Sequence, residues 1–250
     1  TMRFIGAPFT FGFEQVGTNC GLISQHAAIE VDGIIYWMSE DSFFYFDGAS
    51  VKKLPCLVED DVFGNLNNSS ELIVHAGVND KFNEITWFYP SSDSNFINRS
   101  VTYNTRDSQN IPGGVWTTND NALFPRTTWV DQGVYNKPYA TKFDQNAAPT
   151  QGSISGVSNG ATTYYAHEVG TDQVETSGTT AIPANIVSGD FDLDERGIVG
   201  DGEFMLRISR FIPDFKNQQG DAEVTILLRD FPSNSRASST SGALITGPFT

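Results

Sequence analysis

Ile29-Glu30-Val31-Asp32-Gly33-Ile34-Ile35-Tyr36-Trp37-Met38 decides how this chain is read. Apolar and polar residues alternate up to Val31, the period of a half-buried strand. Asp32-Gly33 is then a strong signal for a two-residue type I′ hairpin turn. Ile34–Met38 is the return strand. The polar turn Ser39-Glu40-Asp41-Ser42 leads into Phe43-Phe44-Tyr45-Phe46, and Asp47-Gly48 turns the chain again into Val51-Lys52-Lys53-Leu54. Four short strands joined by tight turns make a β-meander.

The pattern repeats. Leu72–Ala76, Glu84–Tyr89, Arg99–Tyr103 and Val115–Thr117 read as a second set of four strands. A longer, turn-rich connection at 104–114 precedes the last of them. Thr127–Asp131, Tyr139–Phe143 and Thr163–Glu168 form a looser third group. Repeated four-stranded units are the signature of a β-propeller, although the periods are unequal and no WD or kelch motif is present. A sandwich built of meanders would give a similar pattern. One short helix is expected at Leu57–Phe63, between Pro55 and Gly64.

Further on, 145–160 and 171–181 are small, polar and loop-like, and 233–243 is Ser-rich. Longer strands are expected at Ile182–Asp194, Phe204–Pro213 and Glu223–Phe231. The fold class is therefore all-β, with propeller-like meanders over 1–172 followed by a longer-stranded sheet or sandwich over 182–250.

Of 250 residues, 39% are apolar, with 19 Phe, 8 Tyr and 4 Trp to fill a core. Aromatic and β-branched residues suit pleated, half-buried surfaces. No apolar run approaches the length of a membrane span, so no membrane insertion is expected. Thr1–Gly6 lacks the features of a signal peptide, and the last residues carry no polar tail; both ends fit a fragment of a longer chain. The formal charge is −15, from 30 acids and 15 bases. Tight binding to nucleic acid draws on clustered Lys and Arg that neutralise phosphates, and that supply is missing.

Catalytic patterns fail at named positions. Gly152-Ser153-Ile154-Ser155-Gly156 has Ile154 where a nucleophile elbow needs serine. There is no P-loop and no dinucleotide fingerprint. His26, His75 and His167 have no metal-ligand spacing, and His75 reads as a core histidine in an apolar strand. His167-Glu168 could be an acid–base pair, although neighbours in a strand face opposite ways. Cys20 and Cys56 read as reduced, buried thiols, with a single bridge also open. Asp190, Asp192 and Asp194 would share one face of a strand and could hold calcium, which favours such oxygens. Against that, Glu195 and Asp201 stand where an EF-hand loop needs Gly and Glu, and the solvent-facing side of an amphipathic strand, with Phe191 and Leu193 inside, is the favoured reading. The sequons at Asn68 and Asn98 read as chance matches. No catalytic, cofactor or metal residue is assigned, and no enzyme activity is expected.

Several ordered blocks resemble a known group. They are Val16–Ile23, His26–Gly33 with Tyr36–Ser39, Phe44–Gly48 with Leu54-Pro55-Cys56, Asn83–Pro90, Asn98–Asn104, Gly189–Asp192 and Ser209–Phe215. Together they resemble the tail nozzle, or tail tubular protein B, of short-tailed bacteriophages, and the related packaged-DNA stabilisation proteins. The resemblance implies a virion protein of the phage tail with a propeller-like body. It further implies a homohexameric ring, contacts to an adaptor ring and other tail proteins, and a channel that genomic DNA passes without tight binding. It carries over no catalytic residues, and its members are longer than this chain. An acidic lining would let phosphate slide past. Exposed members of the set Trp87, Trp116, Trp129, Tyr135 and Tyr139 would serve the ring interface, while most of the set is expected in the core. The alternatives are a carbohydrate-binding β module, for which Asp-box turns are missing, and a calcium-dependent adhesion module resting on Asp190–Asp194.

Overall fold

The computed structural model describes residues 1–120, 125–131, 133, 135–144, 161–170, 172–175, 178–182, 184–189, 212, 221–228, 237–238 and 243–245. The protein is mostly antiparallel β-sheet, so the all-β class holds. Two compact units divide the chain, Thr1–Thr171 and Asp172–Thr250.

The first unit begins with a hairpin of β1 (Met2–Phe4) and β2 (Phe11–Phe13). A four-stranded meander follows, β3 (Ala28–Val31), β4 (Ile34–Met38), β5 (Phe43–Phe46) and β6 (Val51–Leu54), each strand pairing with the next. Asp32 and Gly33 both have positive φ, 53° and 80°, which is what a type I′ turn demands. At the β5–β6 turn the Asp47 carboxylate accepts the backbone N–H groups of Ala49 and Ser50, each at 3.0 Å.

Helix α1 (Glu59–Gly64) lies where it was expected and buries Val62. The second meander is β7 (His75–Asn79), β8 (Glu84–Tyr89), β9 (Arg99–Asn104) and β10 (Val115–Asn119), again in consecutive order. Its first strand starts later than the sequence suggests. Asn68–Ile73 forms 3-10 turns kinked at Ser70 instead; the Asn67 side chain caps the first on the Ser69 N–H at 2.9 Å, and the Val74 N–H closes the second on the Glu71 carbonyl at 2.9 Å. A third sheet, β11 (Thr128–Val130), β12 (Tyr139–Asp144) and β13 (Ala161–Ala166), is a three-stranded meander.

The two four-stranded meanders share one aromatic core. The Phe43 ring lies 4.9 Å from both Trp87 and Trp116, and Tyr103 lies 4.7 Å from Trp116. Phe63 of α1 closes on Phe43 at 5.2 Å. Trp87 is fully buried, and its indole N–H donates to the Ala27 carbonyl at 2.9 Å, tying β8 to the start of β3. Such rings bury large area, and a buried indole N–H needs its acceptor. The opposite face of β4 is covered too: Trp37 stacks on Phe44 and donates to the Cys20 carbonyl at 3.1 Å.

In the second unit, β14 (Asp172–Glu175) and β15 (Gly178–Ala181) form a hairpin. Residues 171–181 are therefore not the loop their composition suggests; Gln173-Val174 and Thr179-Thr180 pair across the turn. β16 (Ala222–Val224) pairs with β19 (Ala243–Ile245), and β17 (Leu227–Leu228) with β18 (Ala237–Ser238). Two expectations change here. The described residues 182 and 184–189 carry no strand, and Pro183 lacks the N–H that a ladder would need. The strand expected over Glu223–Phe231 is broken at 225–226, and β18 lies within the stretch read as a Ser-rich loop. Residues 145–160, 190–211 and 213–220 lie outside the described residues.

Candidate functional site

Two places in the first unit gather polar side chains. The first is the joint between the second meander and the third sheet. Trp129 of β11 lies flat over Gly77 of β7, where an added Cβ would sit 2.6 Å from the indole Cγ. The indole N–H donates to the Val78 carbonyl at 2.7 Å. Around it runs a continuous column of rings. His75 stacks on Phe88 at 4.9 Å, Phe88 on Trp129 at 6.0 Å, and Trp129 meets His167 at 4.6 Å. Arg126, only 5% exposed, closes the column. Its Nε donates to His167 Nε2 at 3.0 Å, and its guanidinium sits 4.0 Å above the Tyr165 ring.

A ring nitrogen that accepts from an arginine is unprotonated, so His167 is neutral with its proton on Nδ1. Burial first, and the Arg126 charge second, hold its pKa down to about 4. Burial likewise pushes His75 down to about 4, and its Nε2 has no hydrogen-bond partner among the described residues. Next to His167, Glu168 adopts the left-handed conformation with φ 63° and points elsewhere. Its carboxylate accepts from Lys81 and Asn79, both at 3.0 Å. His167 and Glu168 are thus not an acid–base pair. His75 is half-buried at the start of β7, and His26 lies beside it through an isolated parallel bridge.

The second place is the turn end where the two four-stranded meanders meet. A cleft of ≈ 200 Å³ is lined by Val31, Asp32, Tyr36, Asn83, Arg106 and Gln109, among others. Around it lies an acidic rim. The Asp80 carboxyl is raised by partial burial first and then by the charges of Asp131, Asp32 and Glu30. Nearby, burial and the Glu168 charge raise Glu84. The carboxylate charges that raise Asp80 and Glu84 concentrate negative potential at this end of the unit, beside the bases Arg106 and Lys81.

Other sequence candidates separate. Cys20 and Cys56 are both free and half-buried rather than fully buried. Burial pushes the Cys56 thiol up to about 12, which suppresses the nucleophilic thiolate. Trp87 belongs to the core, and Trp116 and Trp129 are half-buried in aromatic contacts, so none of the three is a free interface residue. Tyr135 and Tyr139 are exposed and meet edge to face at 5.2 Å. Among the described residues no group of three or more His, Cys, Asp or Glu could hold a metal ion. Asp190, Asp192 and Asp194 lie outside the described residues. Arg126 escaped the sequence reading because nothing local marks it; only pairing of β11 to β12 and β13 brings it to His167. No protein-family model matches the chain, and no curated protein matches it.

Proposed function

We propose that this chain is a segment of a structural protein of a bacteriophage tail, one that assembles as a ring and walls a conduit for genomic DNA. The observation that carries this reading is the pair of consecutive four-stranded meanders packed across one aromatic core, an arrangement like successive propeller blades. Five of the seven blocks that resemble tail nozzle proteins fall within the first unit, where Asn83–Pro90 covers β8 and Asn98–Asn104 covers β9. In this reading the acidic rim of Glu30, Asp32, Asp80 and Asp131 faces the lumen, where it repels phosphate and prevents sticking. A homohexamer, an adaptor ring above it and a place in the virion complete the proposal, and no enzymatic step is assigned to any residue.

A carbohydrate-binding reading is supported less well. The cleft has polar residues, but Tyr36, the aromatic ring on its wall, is only 8% exposed and packs 6.1 Å from Tyr45 and Tyr103. It offers no open platform on which a sugar would stack. Native mass spectrometry of the 250-residue chain tests the assembly. A six-copy species is expected to grow with concentration. Only monomers or dimers at every concentration would overturn the ring.

A further inference from the structure

The N-terminal hairpin has an uncovered apolar face. In its register Met2 pairs with Phe13, Arg3 with Gly12 and Phe4 with Phe11. Directly opposed residues share a face of the sheet, and alternate residues change face. Met2, Phe4, Phe11 and Phe13 therefore form one apolar face, while Arg3 and Gly12 lie on the other, where Ile5 packs over Gly12. The four side chains are 60%, 73%, 49% and 81% exposed, and Phe9 in the turn is 72% exposed. Phe4 and Phe11 touch only edge to face, at 6.0 Å.

An isolated two-stranded hairpin is at best marginal in water. Past its second strand the chain is anchored: an added Cβ at Gly17 would lie 3.0 Å from Val51 of β6. Among the described residues nothing covers the hairpin's apolar side.

We propose that this face is a docking surface for the same face of a second copy of the chain, hairpin against hairpin. Two observations select that occupant. The first is area. At ~150–250 Å² per aromatic side chain, the exposed parts of Met2, Phe4, Phe11 and Phe13 present on the order of 500 Å². That is over half of the ~800 Å² each partner gives to a standard interface and lies in the upper part of the ~300–600 Å² range for the largest patch of a typical monomer. The second is charge. Residues 1–29 hold one base, Arg3, and one acid, Glu14, so the whole −15 lies in residues 30–250. Two copies approaching elsewhere meet with like charge; here they meet across a neutral apolar face, as an isologous contact requires.

The contact goes beyond the conduit reading and stands or falls separately. The test is sedimentation equilibrium of the 250-residue chain, its F4S/F13S variant and an R3S control on the opposite face, each checked for folding by near-UV circular dichroism. Wild type and R3S are expected to self-associate, and F4S/F13S to dissociate at concentrations at least ~100-fold higher. A ring closes through other, heterologous surfaces, so the hairpins would join two rings and F4S/F13S is expected to halve the mass of the assembly; an unchanged mass overturns the hairpin contact and not the ring. A monomeric wild type overturns it outright. So does wild type that stays monomeric and floats with phosphatidylcholine vesicles, because the face would then take lipid.

Discussion

The two joints of the first unit are built on different physics. Between the two four-stranded meanders the contact is thick and apolar, with Phe43, Trp87, Trp116 and Tyr103 in mutual contact. Between the second meander and the third sheet it is smaller and more polar, a half-buried indole between Phe88 and His167, flanked by Arg126–His167 and Lys81–Glu168. A core of rings is indifferent to pH and salt, and it fails only when a ring is removed. A joint that mixes a few rings with two histidines and several charges can be loosened by protons while the core beside it stands. The difference predicts that, within the one compact unit Thr1–Thr171, the third sheet loosens before the meander pair.

Three experiments probe that contrast, from the largest effect to the smallest. Trp87→Ala removes a fully buried ring and one of the two hydrogen bonds to the Ala27 carbonyl, which keeps the Met38 N–H at 3.3 Å. It is expected to cost about 3–5 kcal/mol and to collapse thermal unfolding of the whole first unit. A loss below about 1 kcal/mol would mean that the shared core does not hold the meanders. Acid comes next. His75 and His167 have folded pKa values of about 4 against an ordinary 6.5. The folded state binds fewer protons than the unfolded chain between these values, so their contribution is complete above about pH 6.5 and is lost as pH falls toward 4. Both rings are partly exposed, so each contributes about 2 kcal/mol. Thermal midpoints should fall steeply from pH 7 to 5, and the H75Q/H167Q variant should flatten that slope. Trp129→Ala should be the mildest of the three, about 1–3 kcal/mol, and local. Hydrogen exchange should quicken in β11–β13 and stay slow in β8 and β9. Equal acceleration in both would erase the distinction between the joints.

Much of this body was legible in the sequence. Asp32-Gly33 and Asp47-Gly48 specify their turns by backbone chemistry that few other pairs satisfy, so the first meander could be read strand by strand. The aromatic-rich runs at Phe43–Phe46 and Glu84–Tyr89 could be read as strands for the same local reason. What depends on partners far along the chain was not legible. Leu72-Ile73 has strand-like side chains but sits in a 3-10 turn after the kink at Ser70. The N-terminal hairpin gives no turn signal as plain as Asp-Gly, and its apolar face emerges only from the Met2–Phe13 register. Arg126 meets His167 across 41 residues, through a sheet whose pairing no local spacing announces. The candidate sites therefore came mostly from the structure, whereas the fold class came mostly from the turns.

The central claim is that this chain forms part of a conduit wall with its acidic rim toward the lumen. Electron cryomicroscopy of the assembled chain tests it most directly. The account predicts a closed six-copy ring with Asp32, Asp80 and Asp131 facing the central channel. A ring whose lumen is lined by basic side chains, or an assembly with no central channel, would contradict it.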